Sequence, residues 1–177
     1  MLSRFATGAV VIALLAFVAV AASYGASTNP TPAQIKAAVQ RAERSRQLWA
    51  TVNICNTRGH PHTIGIRGQM PALGYTSTMS MTITIDYFDP QRNRFVPDRA
   101  VVRFVPLGDP ANGLWQGGVR FSFRKPATAV LLRGMVTYQW KRGGKVVGRT
   151  TRYTVHGIKQ VDDSDPPGYS TATCNLS

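Results

Sequence analysis

At 177 residues the chain is long enough for one domain with a core of its own and short for two. Its 21 Lys and Arg against 8 Asp and Glu give a formal net charge of +13, so the chain is strongly cationic. Glutamate occurs once, at Glu43, so any paired-carboxylate chemistry would have to run on aspartates.

Arg4 precedes an apolar run from Gly8 to Ala22, and small residues from Ala21 to Ser27 follow. That order is the one a secretory signal peptide takes, here residues 1–25, with cleavage after Ser23 or Gly25. Phe5 to Tyr24 is also long enough to span a bilayer, so an uncleaved signal anchor is the alternative. Either way the chain is expected outside the membrane, secreted or tethered. Residues 26–46 read as a linker and one short helix, with Thr31 as N-cap and Pro32 as first helical residue. Ile35, Val39 and Ala42 share one side of that helix. The stripe lacks large apolar residues, which suits a solvated or loosely packed spacer better than a helix lying on lipid.

Residues 47–177 read as an all-β domain. Leu48, Ala50, Val52 and Ile54 alternate in a first strand, and Ile64 to Met70 make a shorter second one. Thr78 to Phe88 alternates most cleanly, with Met79, Met81, Ile83, Ile85 and Tyr87 on one face and Thr78, Ser80, Thr82, Thr84 and Asp86 on the other. A broken strand follows from Phe95 to Val105, where Pro97 and Pro106 point to a sheet edge. Gly108 to Gly118 reads as a loop, and Val119, Phe121 and Phe123 start the next strand. About seven short strands with turns between them and no βαβ rhythm predict an antiparallel β-sandwich.

The stretch from Val130 to Val155 is a long hairpin turning at Gly143-Gly144, a dipeptide suited to the positive φ values of a two-residue turn. An uninterrupted ladder from that turn would set Trp140 opposite Val147, Tyr138 opposite Arg149 and Gly134 opposite Tyr153. The expected outer face then carries Arg133, Thr137, Gln139, Lys141, Thr150 and Arg152, with Arg142 and Lys145 at the tip. Cys55 and Cys174 are the two cysteines, and an even count in an exported chain predicts one disulfide between them.

Tyr138-x-Trp140, the Gly-Gly turn and the valine-rich strand after it resemble the last hairpin of immunoglobulin-like bacterial extracellular domains, which implies two packed sheets. The chain departs from true immunoglobulin domains at Trp140, where the family has cysteine. Ile54-Cys55-Asn56-Thr57, the run from Ile64 to Pro71 and Asp165-Pro166-Pro167-Gly168-Tyr169-Ser170 resemble a set of secreted actinobacterial proteins over most of residues 47–177. That resemblance implies export and a sandwich, and no activity.

His60-Pro61-His62, with His156 as a third ligand, is the one arrangement that could share a zinc or copper ion, but the spacing lacks a helical H-E-x-x-H pattern. Asp162, Asp163 and Asp165 lack the glycine and distal glutamate of a calcium loop and read as a solvated turn. Asp86 and Asp89 are a conceivable carboxylate pair, though Asp89 before Pro90 has a turn-forming role. No nucleophile elbow or phosphate loop occurs, so no catalytic residue, metal or cofactor is assigned.

Pro110 to Val161 contains no acidic residue and ten basic ones. The expected function is therefore a secreted, non-catalytic module whose basic sheet face, Arg133, Lys141, Arg142, Lys145 and Arg152, contacts an anionic cell-envelope polymer, extracellular polymer or lipid surface. No specific nucleic acid is expected for an exported protein. The alternative is a small secreted hydrolase or metal-dependent enzyme using His60, His62 and an aspartate.

Overall fold

Two antiparallel sheets face each other in the computed structural model, which describes residues 29–177; the signal peptide or anchor expected at residues 1–25 lies outside them. In chain order the elements are α1 (Pro32–Arg44), β1 (Trp49–Cys55), β2 (Thr63–Pro71), β3 (Thr78–Asp89), β4 (Arg94–Gly108), β5 (Leu114–Ser122), β6 (Val130–Arg142), β7 (Lys145–Tyr153) and β8 (Cys174–Leu176). One sheet runs β1-β2-β5 and the other β4-β3-β6-β7, with β8 beside β6. This is the expected β-sandwich. The strand beyond the expected seven is β8. Strand β5 also starts at Leu114, within the stretch read as a loop. Gly117 pairs with Gly68 in that strand, and the position needs glycine because a Cβ would fall 2.7 Å from Leu107 Cδ2.

The core lies between the sheets. Met79, Met81, Ile83 and Ile85 of β3, Val136, Tyr138 and Trp140 of β6, Ala50 and Val52 of β1 and Ile64, Ile66 and Met70 of β2 are all buried. Each large apolar side chain so buried contributes about 1.5–3 kcal/mol before entropy is counted. Tyr138 spans the two layers. Its hydroxyl donates to the Trp49 carbonyl, and burial pushes the phenol far above its ordinary range. Gly68 makes room for it, since a Cβ there would lie 2.7 Å from the Tyr138 oxygen.

The hairpin turns at Gly143-Gly144 as expected, with φ of 53° and 76°. Its register does not follow the expected ladder. Lys141 pairs with Val146 but Trp140 pairs with Gly148, so Val147 bulges out and every later pair shifts by one residue. A one-residue slip moves side chains to the other face. Thr150 and Arg152 therefore lie inward, contrary to expectation, and Arg149 pairs with Gln139 rather than lying over Tyr138. Thr154, not Tyr153, covers Gly134: its Oγ1 accepts from the Gly134 N–H at 3.1 Å. The bulge has a cause in α1. Gly148 opposite Trp140 leaves the space that Val39 fills, a Cβ at 148 falling 2.6 Å from Val39 Cγ1.

Helix α1 is thus no spacer. Thr31 and Gln34 form a reciprocal capping box, and Ala38, Val39 and Ala42 belong to the core. Small residues let the helix approach the sheet closely. At its other end Arg152, turned inward by the bulge, donates to the Glu43 carbonyl at 2.5 Å, meeting the negative end of the helix.

Cys55 and Cys174 are bonded, joining the end of β1 to β8. Between β7 and β8 the chain runs along the free edge of β1. Val155 N–H donates to Ala50 O at 2.8 Å, Val52 and Thr171 exchange bonds at 2.9 and 3.1 Å, and Asp165 N–H donates to Asn53 O at 2.9 Å. That covers an edge that would otherwise be open to pairing.

Candidate functional site

The five basic residues expected on one hairpin face are not brought together. Arg133 does point outward, but its Nε and Nη2 donate to Asp86 Oδ2 at 3.0 and 2.9 Å, and its guanidinium lies 4.3 Å from the Phe95 ring centre and 3.8 Å from that of Tyr153. It neutralises a buried carboxylate between two rings. Arg152 faces inward under α1. Arg142 donates to Asn29 Oδ1 at 2.8 Å and stacks on Tyr75. Lys141 and Lys145 remain at the tip beside it. Of the aspartate pair, Asp86 is held by Arg133, and Asp89 Oδ1 accepts from the Gln91 and Arg92 N–H groups at 2.9 and 3.2 Å, a turn cap.

The histidines and the acidic cluster meet differently from either expectation. His60 Nδ1 lies 2.9 Å from Asp165 Oδ2, and its Nε2 lies 2.9 Å from Arg120 Nη1. Arginine can only donate, so Nε2 carries the lone pair and Nδ1 carries the proton given to Asp165. The Thr57 hydroxyl also donates to Asp165 Oδ2. These two hydrogen bonds, Thr57 first and His60 second, hold the Asp165 carboxyl below its usual range. The result is a chain of contacts, Thr57 to Asp165 to His60 to Arg120, that ends in a guanidinium. His62 turns away through a left-handed backbone, φ 51°, with Nδ1 buried and unpaired; His156 is exposed elsewhere. Among the described residues no group of three or more His, Cys, Asp or Glu side chains could hold a metal ion.

Arg120 opens onto a groove on the outer face of the three-stranded sheet. Here β2 places Gly65, Arg67 and Gln69 against Arg120, Gly118 and Gln116 of β5. The chain after β7 crosses this face as a strap: Gln116 Nε2 donates to Gln160 O at 3.0 Å, Asp162 N–H donates to Gln116 Oε1 at 3.1 Å, and Asn53 Nδ2 donates to Asp162 O and Asp163 O at 3.3 and 2.9 Å. The cavity is about 350 Å³, lined by Asn53, Ile54, Ile66, Arg67, Gly118, Val119, Arg120 and Asp163.

Arg67 lies down over Gly118, whose missing Cβ would stand 3.2 Å from Arg67 Nε. Its Nη2 donates to Asp163 Oδ2 of the strap, while Nε is buried without a partner. The side chain of Arg67 is 13 % exposed and that of Asp163 82 %. Among the described residues Arg120 bonds His60 and no carboxylate directly, the Asp165 carboxylate standing on the far side of the imidazole. Two guanidiniums in a concave polar groove, one without a direct carboxylate partner, suit an oxyanion. The His60 ring is held between Asp165 and Arg120. Sequence reading missed the groove because Arg67, Arg120 and Asp163 are far apart in the chain and no local pattern joins them.

No protein-family model matches the chain, and no curated protein sequence matches it. Among solved structures, a glycosyl hydrolase family 2 member from Bacteroides cellulosilyticus DSM 14838 aligns with 63 % of this chain at 11 % identity and a TM-score of 0.36. A putative beta-galactosidase from Bacteroides fragilis aligns with 64 % at 13 % identity and a TM-score of 0.32. This chain spans 15 % and 17 % of those two proteins. Similarity at that level carries no argument about activity. What stands, on the chain's own geometry, is an antiparallel β-sandwich with a guanidinium-lined groove on one outer face.

Proposed function

We propose that the chain is an exported, non-catalytic module of immunoglobulin-like kind that holds an anionic polymer of the cell envelope or extracellular space, gripping it in the groove of the three-stranded sheet. The observation that carries this reading is Arg120, an exposed guanidinium with no direct carboxylate partner, oriented by His60 and lining a cavity. Export is supported by the signal-like leader and by the Cys55–Cys174 bond, which suits an oxidising compartment. No described helix is long and apolar enough to cross a membrane. The net charge of +13 attracts polyanions at long range. Lys141, Arg142 and Lys145 contribute to that attraction from the hairpin tip, without a cavity to confer selectivity. A concave groove favours a polymer over a flat lipid surface.

The test is binding of acidic polysaccharide and of anionic vesicles at about 0.05 and 0.5 M salt, where the Debye length shrinks from roughly 14 to 4 Å. Arg120→Gln is expected to weaken polysaccharide binding roughly tenfold or more, the loss of a charge-assisted contact. Neutralising Lys141, Arg142 and Lys145 together is expected to cost less and to act mainly at low salt. The reverse ranking would move the site to the hairpin, and vesicle binding indifferent to Arg120 would make lipid the partner.

A further inference from the structure

We infer, on the reading that the groove binds an anion, that its ligand is a polysaccharide carrying carboxylates on successive units, and that Asp163 is a built-in competitor occupying the place of one of them. The asymmetry of the Arg67–Asp163 pair points this way. Arg67 is mostly buried, so its guanidinium depends on a nearby anion; Asp163 is 82 % exposed and would be solvated if it let go. Its side chain can swing out while the strap stays, because the strap is fixed by main-chain groups: Asp163 O on Asn53 and Asp162 N–H on Gln116.

The present occupant is a carboxylate held through Nη2 alone, with the adjacent Nε unpaired. Arg67 and Arg120 sit on neighbouring strands, Arg67 opposite Gly118 and Arg120 two residues further along. That diagonal places their origins roughly 7–8 Å apart, a separation at which a ligand carrying two anionic groups can engage both guanidiniums at once. An acidic peptide could not enter here as an added strand. Extended peptides add to free sheet edges, whereas the groove lies on a sheet face, where β2 is already paired on both sides with β1 and β5.

The experiment is calorimetric titration of the full exported chain with oligogalacturonate, polyglutamate and polyphosphate at low salt. Asp163→Asn keeps the backbone, since asparagine tolerates the left-handed φ of 51° at this position; Asp163→Gly serves if the first variant folds poorly. Each is expected to bind oligogalacturonate about tenfold more tightly than wild type, the ratio that one charge-assisted contact is worth. Asp162→Asn, which changes net charge equally, is expected to change affinity less than twofold, about the scale of an exposed charge. If wild type binds and Arg120→Gln does not, yet Asp163→Asn leaves affinity unchanged, the competitor role is wrong and the groove reading survives. An equal gain in Asp162→Asn also overturns the inference, by making net charge the cause. Preference for polyglutamate or polyphosphate overturns the ligand class, and failure of every variant to bind any of the three defeats the inference and the groove reading together.

Discussion

Trp140→Ala will lower the unfolding free energy by about 3–5 kcal/mol, the usual range for truncating a large aromatic core residue. Trp140 is fully buried. Its Nε1–H donates to the Pro71 carbonyl at 2.9 Å, tying the five-stranded sheet to the end of β2. Its ring packs on Gly148, whose Cβ, if present, would lie 3.2 Å from Trp140 Cε3. Alanine would leave a cavity under α1 and remove the donor to Pro71. Trp140→Phe refills most of the volume and loses only the hydrogen bond, so it should cost less. Urea unfolding of the oxidised protein checks both; a loss below about 1 kcal/mol for the alanine variant would mean that the ring is not part of the core.

Removing the disulfide by the double change Cys55→Ala and Cys174→Ala will cost about 4–5 kcal/mol on the chain-entropy model. The bond spans 119 positions of sequence, so it restricts a long loop in the unfolded chain. It also fixes β8, a strand of three residues that pairs with Val130 to Leu132 of β6 and could not hold its place on that ladder alone. Alanine is the choice because Cys174 is buried. The unfolding midpoint should fall by a similar amount when wild type is reduced, and the Leu176 amide should lose hydrogen-exchange protection first. A midpoint indifferent to reductant would show that the tail is held by its other contacts, those of Thr51, Val52 and Asn53.

These two effects rest on features legible in the sequence. Alternation along Thr78 to Phe88 and along β6 marks which side chains enter the core, because a half-buried strand must alternate. The Gly-Gly turn follows from the positive φ it requires, and the disulfide from the cysteine count. What could not be read depends on distant neighbours. The bulge at Val147 comes from Val39 needing the space over Gly148, and nothing within the hairpin signals it. Gly117 and Gly118 look like a loop, yet they are strand residues where the core and Arg67 come close. Ala38, Val39 and Ala42 look too small to pack until the sheet they approach is known. Asp163 and Asp165 read as a solvated turn because their partners Arg67 and His60 lie 96 and 105 residues away. The expected basic face requires a ladder without a bulge and cations without partners, and the hairpin has neither. Arg133 has a buried carboxylate and Arg152 a helix end, whereas Arg120, outside the hairpin, has a cavity beside it and no direct carboxylate.

Residue-resolved mapping on ¹⁵N-labelled protein titrated with oligogalacturonate at low salt tests the central claim most directly. The account predicts that amide and arginine Nε signals of Asn53, Arg67, Gly118, Arg120 and Asp163 shift together and saturably, while Lys141 to Lys145 move little. Shifts centred on the hairpin from Lys141 to Arg152, with the groove silent, would contradict it.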